Sequence, residues 1–557
     1  MEKDLSSESP RTRCAALLVL LLFAALWFGN LDYRKLVRPD EGRYSEIPRE
    51  MAATGDWLTP RLNGIKYFEK PPLQYWATAV AYKAFGEHEW TVRAWPALTG
   101  FACVLVIWIM GAALFGRAAG AYAAVVLASA MGYMFVAHIA TLDMGFSAFM
   151  ALTMGGLLLG MSERTPERHR TRWIYAAWAG MALAVLSKGL AGIVLPLLVL
   201  GLHVVIERDF GIIKRVRPIS GGLLFLAIVA PWFVAVSIAN PEFPSFFFIH
   251  EHFARFLTKV HRRTAPWWYF VPILALGILP WLLTALQAFT TAWRRNPAQP
   301  FRETRFLALW AAAIFIFFSA SSSKLPSYIL PIFPAVALLA GARLATVANA
   351  RLRWDIALYF AAGLALMIFA PQVERFAPDG EDIQLFAAYV PWLRSAGAII
   401  VTGGACAWLL SERRRTAAVL AIGFSALMAE QTLMMGHEEL APRSSFHDMA
   451  VEVRPYLRPG APFYSVGTYE QTLPFYLKRT VTLVAFADEM AYGLQQEPQL
   501  WLPDIAAFER AWRLQGYALA IMPPQLYEQL AAGGLPMREI VRNRRHVVAV
   551  TIAGEGK

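Results

Sequence analysis

The strongest constraint on this chain is the recurrence of apolar runs long enough to cross a bilayer. A spanning helix needs roughly 20 mostly apolar residues. Runs of that kind lie at 14–30, 92–115, 119–138, 143–162, 173–187, 189–206, 218–238, 267–291, 306–321, 326–346, 354–371, 390–410 and 416–434. They predict a multi-pass α-helical membrane protein with about thirteen transmembrane helices. Residue usage agrees, with 57% hydrophobic and 17% charged against about 45–50% and about 25% in soluble domains. The first run follows Arg11 and Arg13 and resembles a signal peptide. No small-x-small cleavage site follows it and more spans come after, so it reads as a retained anchor. Cys14, Cys103 and Cys406 each lie in an apolar run, far from metal-ligand spacing, and read as packing residues.

The net charge of +12 would suggest nucleic acid in a soluble protein. Placed on the threading, it reports topology instead. With a cytoplasmic N-terminus, every second loop is basic, as at 163–172 (Arg164, Arg168, Arg170, Arg172) and 411–415 (Arg413, Arg414, Arg415). Nucleic-acid binding gains no support. The outer side then receives the loops 31–91 and 239–266 and everything after 434. The expected division is a membrane catalytic domain over 1–434, its site formed by those two loops, and a soluble α/β domain over 435–557. In that tail, strand-like runs (462–467, 480–485, 517–522, 546–552) alternate with helix-like ones (469–477, 504–514, 524–532).

Charges at the outer face matter most, because burial in a membrane costs a few kcal/mol each unless they are paired or wet. Four clusters stand out. Asp40 and Glu41 follow Pro39, with Arg43 and Arg49 on the same short helix; acids there also suit a helix's first turn. In Lys66-Tyr67-Phe68-Glu69-Lys70-Pro71-Pro72, a double proline fixes a lysine that either anchors at the interface or points at a phosphate. His250-Glu251-His252, with Arg255 following, makes an outer loop basic against the rule, so it either binds lipid headgroups as a solvated face or meets a specific anion. Glu69 and His250 would share a zinc ion if the two loops meet. Asp143, Lys188 and Lys324 sit singly at outer turns, the last near Tyr328; each suits snorkelling, and together they suit a shared cavity. Aromatics suit sugars, cations suit phosphates, and apolar grooves suit a lipid tail.

DEGRYSEIPREM (40–51), GDWLTPRLNGIKYFEKPPLQYW (55–76), ATLDMG (140–145), LSKG (186–189), EHFARF (251–256) and KLPSYILP (324–331) resemble the bacterial 4-amino-4-deoxy-L-arabinose lipid A transferases. These are polyprenyl-phosphate-dependent glycosyltransferases of the GT-C class. The likeness covers the first ten spans well and the tail weakly. The acidic pair is shared with protein O-mannosyltransferases, whereas YFEKPP and KLPSYILP point to the aminoarabinose branch. Gly42 and Ser45 look like tolerated variations.

The resemblance implies a GT-C membrane domain with a periplasmic α/β domain in the bacterial inner membrane. It implies undecaprenyl phosphate–aminoarabinose as donor, a lipid A phosphate as acceptor, and resistance to polymyxin. No cofactor is required; Glu69 and His250 are the candidate pair for a structural zinc, and the enzyme is expected to act as a monomer. Asp40, Arg43, Asp143 and Lys188 are the expected catalytic residues. Lys70, Arg255, Tyr67, Lys324 and Tyr328 are the expected holders of donor or carrier phosphate. A related transferase with another sugar or a protein hydroxyl acceptor is the nearest alternative. A transporter would place its charges at the midplane in two echoing halves, which this sequence does not. The tail carries no concentrated site residues, against a binding module.

Overall fold

A computed structural model describes residues 10–254, 265–294, 301–378 and 382–552. The chain forms two compact units. One comprises 1–34, 93–234 and 248–439; the other comprises 35–92, 235–247 and 440–557. The boundary of packing therefore differs from a cut at 434/435: residues 35–92 fold with the tail.

The described residues of the membrane unit are predominantly helical. Each of the thirteen apolar runs falls on a helix or a bent helix pair. Among the described residues, eight helices are long and apolar enough to cross a membrane, or ten if each bent pair is one span. Cys14–Phe28 and Ala191–Glu207 are shorter apolar helices. Glu167–Lys188 opens with charged residues that dilute its apolar stretch. The helix Pro218–Ala239 leaves Ile219, Leu223 and Leu226 exposed, a surface that suits lipid and not water. The bends have local causes. Phe270–Gly277 and Leu282–Ala292 meet at 113° around Pro280, which has no N–H to give a helix ladder. Arg117–Ala128 and Met131–Ala137 meet at 64°. There the Ser129 hydroxyl donates to the Val125 carbonyl at 2.6 Å, a back-bond that bends helices.

A buried polar knot ties the first helix into this unit. Arg34 donates to the His138 carbonyl at 2.7 Å, and Arg93 to the carbonyls of Leu31 at 2.8 Å and Arg34 at 2.7 Å. Each guanidinium thereby satisfies backbone carbonyls of segments that lie between helices.

The second unit is built on a six-stranded sheet. Its strands are β3 (Phe463–Val466), β4 (Thr482–Val484), β5 (Trp501–Leu502), β6 (Leu519–Met522), β7 (Met537–Arg542) and β8 (Val547–Thr551), in the order β5-β4-β3-β6-β8-β7. The first four in that order run parallel, and β8 and β7 add antiparallel. The four strands and three helices expected in the tail are present. β5 and β7 are additional, the one too short and the other too polar to read from its residues. The helices Ile505–Arg513 and Pro524–Ala532 supply Phe508, Trp512 and Leu530 to the buried face.

The loop 35–92 contributes helix α1 (Asp40–Thr54), the hairpin β1 (Arg61–Leu62) and β2 (Ile65–Lys66), and helix α2 (Leu73–Phe85). Asp40 and Glu41 occupy the first turn of α1, where free N–H groups favour acids. Glu41 Oε2 accepts from the Val37 N–H at 2.9 Å. The helix ends at Gly55, whose φ of 78° is left-handed and suits a residue without Cβ.

Candidate active site

The candidate residues fall in both units. In the second, α1 places Arg43 one turn after Asp40, and Arg43 Nη1 donates to Asp40 Oδ1 at 3.3 Å. The Arg43 guanidinium also pairs with Glu489, on the short helical turn Asp488–Met490 of the tail. Sequence reasoning missed Glu489, because nothing local marks it and its partner lies more than 400 residues earlier. Arg43 stands 5.7 Å from the Tyr44 ring centroid, and Tyr44 stacks on Tyr75 at 6.2 Å. Tyr67, behind β2, is buried. The hydroxyls of Tyr67 and Tyr75, Arg43 Nε and Glu489 Oε1 have no hydrogen-bond partner among the described residues. Burial pushes the Glu489 carboxyl up to about 7, against the pull of Arg43. Burial, followed by the Glu69 charge, raises Tyr67 well above its ordinary range, so its hydroxyl stays protonated.

Lys70 stays close to its neighbour: Nζ donates to the Glu69 carbonyl at 2.9 Å and stands 3.9 Å from Glu69 Oε2. Pro71 and Pro72 lead directly into α2, so the lysine sits on a stiff entry. Arg255 lies outside the described residues, as does the side chain of His250, so the zinc pairing with Glu69 falls there too. Among the described residues, no three His, Cys, Asp or Glu groups gather at metal-holding distance.

A second carboxylate group underlies the same helix. Arg49 grips both oxygens of Glu46 at 2.6 Å, and Glu50 Oε2 accepts from the Gly64 N–H at 2.8 Å. Burial raises both carboxyls, and the Glu46 charge pushes Glu50 higher still. This cluster fixes the hairpin on α1, so it positions Tyr67 and Lys70.

In the membrane unit, Asp143 opens the helix Asp143–Met161, and Lys188 closes Glu167–Lys188. Lys188 forms an ion pair with Asp143. Its Nζ lies 4.9 Å from the Tyr328 ring centroid and 5.6 Å from that of Phe146. Asp143, Lys188 and Tyr328 therefore meet. Lys324 is buried and donates to the Ser321 carbonyl, a local tie at its own turn. An apolar cavity of about 380 Å³ in this unit is lined by residues including Leu274, Ile278, Phe289, Phe315 and Val336, a surface fit for an acyl or prenyl chain.

Residues 14–296 match the family of dolichyl-phosphate-mannose-protein mannosyltransferases, and 449–551 match the aminoarabinose transferase C-terminal domain. The crystal structure of ArnT from Cupriavidus metallidurans bound to undecaprenyl phosphate is 36% identical. It superposes with a TM-score of 0.93 over 97% of this chain and 98% of that one. The chain belongs to the aminoarabinose transferase family. The apo form of the same ArnT gives a TM-score of 0.92. Family membership makes the helical unit a GT-C membrane domain. The undecaprenyl phosphate-α-4-amino-4-deoxy-L-arabinose arabinosyl transferase 2 of Pseudomonas fluorescens is 32% identical over 67% of this chain and 64% of its own. Its counterpart in Yersinia enterocolitica is 33% identical over 60% of each. The chain thus spans less than two thirds of these curated relatives.

Proposed function

We propose that this protein transfers 4-amino-4-deoxy-L-arabinose from undecaprenyl phosphate to a phosphate of lipid A, and so confers resistance to polymyxin and other cationic peptides. The observation that carries this reading is the full-length likeness to a transferase crystallised with undecaprenyl phosphate. The protein sits in the bacterial inner membrane with its N-terminus cytoplasmic and its site and α/β domain periplasmic, and it acts as a monomer.

The chemistry follows from the reactants. A phosphate monoester has a second pKa of about 6, so near neutral pH the acceptor is already largely anionic and needs no strong base. The leaving group is also a phosphate and needs little acid help. Catalysis then reduces to positioning and electrostatic stabilisation, through a single inverting displacement at the anomeric carbon. Lys70 and Arg255 grip the carrier phosphate and stabilise its growing charge, with Tyr67 beside it. Asp40, oriented by Arg43, positions the acceptor. Lys188, steadied by Asp143 and Tyr328, holds a second phosphate together with Lys324. Glu69 and His250 hold their loops together, through zinc where both side chains reach it. The match over 14–296 to protein mannosyltransferases favours one second reading, transfer to a protein hydroxyl, in which Asp40 or Glu41 would serve as a base.

Mass spectrometry of lipid A from cells with and without the gene tests the proposal; an aminoarabinose mass shift must vanish with the gene. Removing one charge-stabilising donor costs about 10²–10³ in rate. Lys70→Ala should therefore lose transfer by at least that factor while its yield in membranes is unchanged. Normal transfer by Lys70→Ala would remove the phosphate grip from the mechanism.

A further inference from the structure

We propose that the end of the membrane unit assigned to the cytoplasm holds a binding site for an anionic glycerophospholipid. One acyl chain lies in an apolar cleft, and the headgroup phosphate meets Arg208, Lys214 and Arg217. The cleft, about 390 Å³, lies between the helices Asp143–Met161, Glu167–Lys188 and Ala191–Glu207, at the loop 208–217 that leads into Pro218–Ala239. Its wall includes Trp178, Met181, Leu200, Gly201, Val205 and Phe210. It is open along one side, since Val205 and Phe210 are each 66% exposed although they line it. An open apolar cleft in a bilayer is filled by some hydrocarbon chain, and the polar groups at its mouth decide which.

The mouth is cationic. Ile213 and Val216 of the loop line the cleft, and Arg208, Lys214, Arg215 and Arg217 are interleaved with them. Both nearby acids are engaged. Glu207 holds Arg305 at 2.8 Å and Arg302 at 3.8 Å, and Asp209 pairs with Arg215. Arg208, Lys214 and Arg217 are exposed and pair with no carboxylate among the described residues. Arg208 and Arg217, at the two ends of the loop, have left-handed φ of 55° and 51°. Glycine would take that backbone at less cost, so the side chain accounts for arginine at both ends. Trp178 Nε1 donates to the Val216 carbonyl at 2.8 Å and pins the loop against the cleft. The helix Ala191–Glu207 separates this mouth from the turn after Lys188; its 17 residues span about 25 Å. The phosphate of an outer-face lipid carrier cannot reach across that length. A phospholipid of the cytoplasmic leaflet places its phosphate at the mouth and its chain in the cleft.

The test is native mass spectrometry of the full-length protein in detergent, titrated with phosphatidylglycerol or phosphatidylethanolamine of the same acyl chains. Each cation near an anionic headgroup is worth about fivefold in affinity, so the first phosphatidylglycerol should bind at least about tenfold tighter. Combining Arg208→Gln, Lys214→Gln and Arg217→Gln should abolish that preference, whereas Arg413→Gln with Arg414→Gln, on another basic loop, should keep it. A Cβ at Gly201 would meet nothing within 4 Å. Gly201→Leu therefore fills the cleft without a backbone clash and should weaken both lipids by about tenfold. In the unaltered protein, a photoreactive diazirine on the phosphatidylglycerol acyl chain should label the segment 196–213. Equal affinity for the two lipids, equal loss in the Arg413 and Arg414 variant, undiminished binding by Gly201→Leu, or labelling confined to other segments overturns the site. Displacement by undecaprenyl phosphate would give the cleft to the prenyl chain and overturn it as well.

Discussion

Gly42 sets how closely α1 approaches the turn at Gln471 and Thr472. A Cβ there would stand 2.5 Å from the Gln471 carbonyl carbon, and 2.7 Å from its oxygen and from the Thr472 nitrogen. All three are backbone atoms, so no rotamer relieves the clash. The position is thus a packing requirement, where the sequence suggested a tolerated variation. Gly42→Ala should destabilise the second unit by about 1–3 kcal/mol, seen as a lower thermal midpoint in detergent; an unshifted midpoint would refute the close approach. One residue away, Arg43 brings in Glu489, whose folded carboxyl titrates near 7 against an ordinary 4.5. Between those values the folded state keeps a proton that the unfolded state has lost. Stability is therefore full below about 4.5, falls as pH rises to about 7, and is level above, with a span on the order of 3 kcal/mol. Glu489→Gln has no such proton, so its thermal midpoint should fall less between pH 5 and pH 8 than that of the unaltered protein. Equal falls would show that Glu489 does not carry this slope.

At the scale of elements, the hairpin β1–β2 shows how the loop 35–92 and the tail become one unit. Asn63, in its turn, has a left-handed φ of 57° that asparagine tolerates. Its side chain donates to the Val481 carbonyl at 2.7 Å and accepts from the Val481 N–H at 2.8 Å. Arg61 reaches Glu497 at 3.0 Å. Asn63→Ala would leave both buried backbone groups of Val481 unpaired, at about 1–3 kcal/mol each. Protease nicking within 55–72 should rise sharply in that variant; unchanged resistance would mean the hairpin is held by other contacts. Such pairings explain what the sequence could and could not tell. The apolar runs located the described helices of the membrane unit because lipid leaves a backbone no other option, and strand-like runs located β3, β4, β6 and β8. Asp40, Arg43, Asp143, Lys188 and Tyr328 stood out because charge and proline beside a membrane are locally conspicuous. Glu489, Glu497 and Val481 did not, since their meaning lies in partners hundreds of residues away. The two bends depended on Pro280 and Ser129, small signals inside runs that read as continuous.

At the scale of the whole molecule, the net charge is an orientation signal with a second use. The excess of +12 falls entirely on the segments assigned to the cytoplasm, and the rest of the chain is balanced. Several of those arginines also close helix ends. Arg164 donates to the Leu114 carbonyl at 2.7 Å, and Arg415 to that of Leu344 at 3.1 Å. A cation there meets the negative end of a helix dipole and fills carbonyls that lack an intrahelical donor. The same residues would therefore hold loops together and retain them in the cytoplasm. Topology then has a direct test in a background with Cys14, Cys103 and Cys406 replaced. Single cysteines at the exposed positions Arg413 and Gln525 lie on opposite sides in this threading. A membrane-impermeant maleimide applied to spheroplasts should label Gln525→Cys and spare Arg413→Cys until the membrane is lysed. Labelling in the reverse order would invert the orientation and put the α/β segment in the cytoplasm. A donor carried on the outer leaflet could not then reach Lys70 or Asp40, so the proposed transfer reaction stands on this measurement together with the topology.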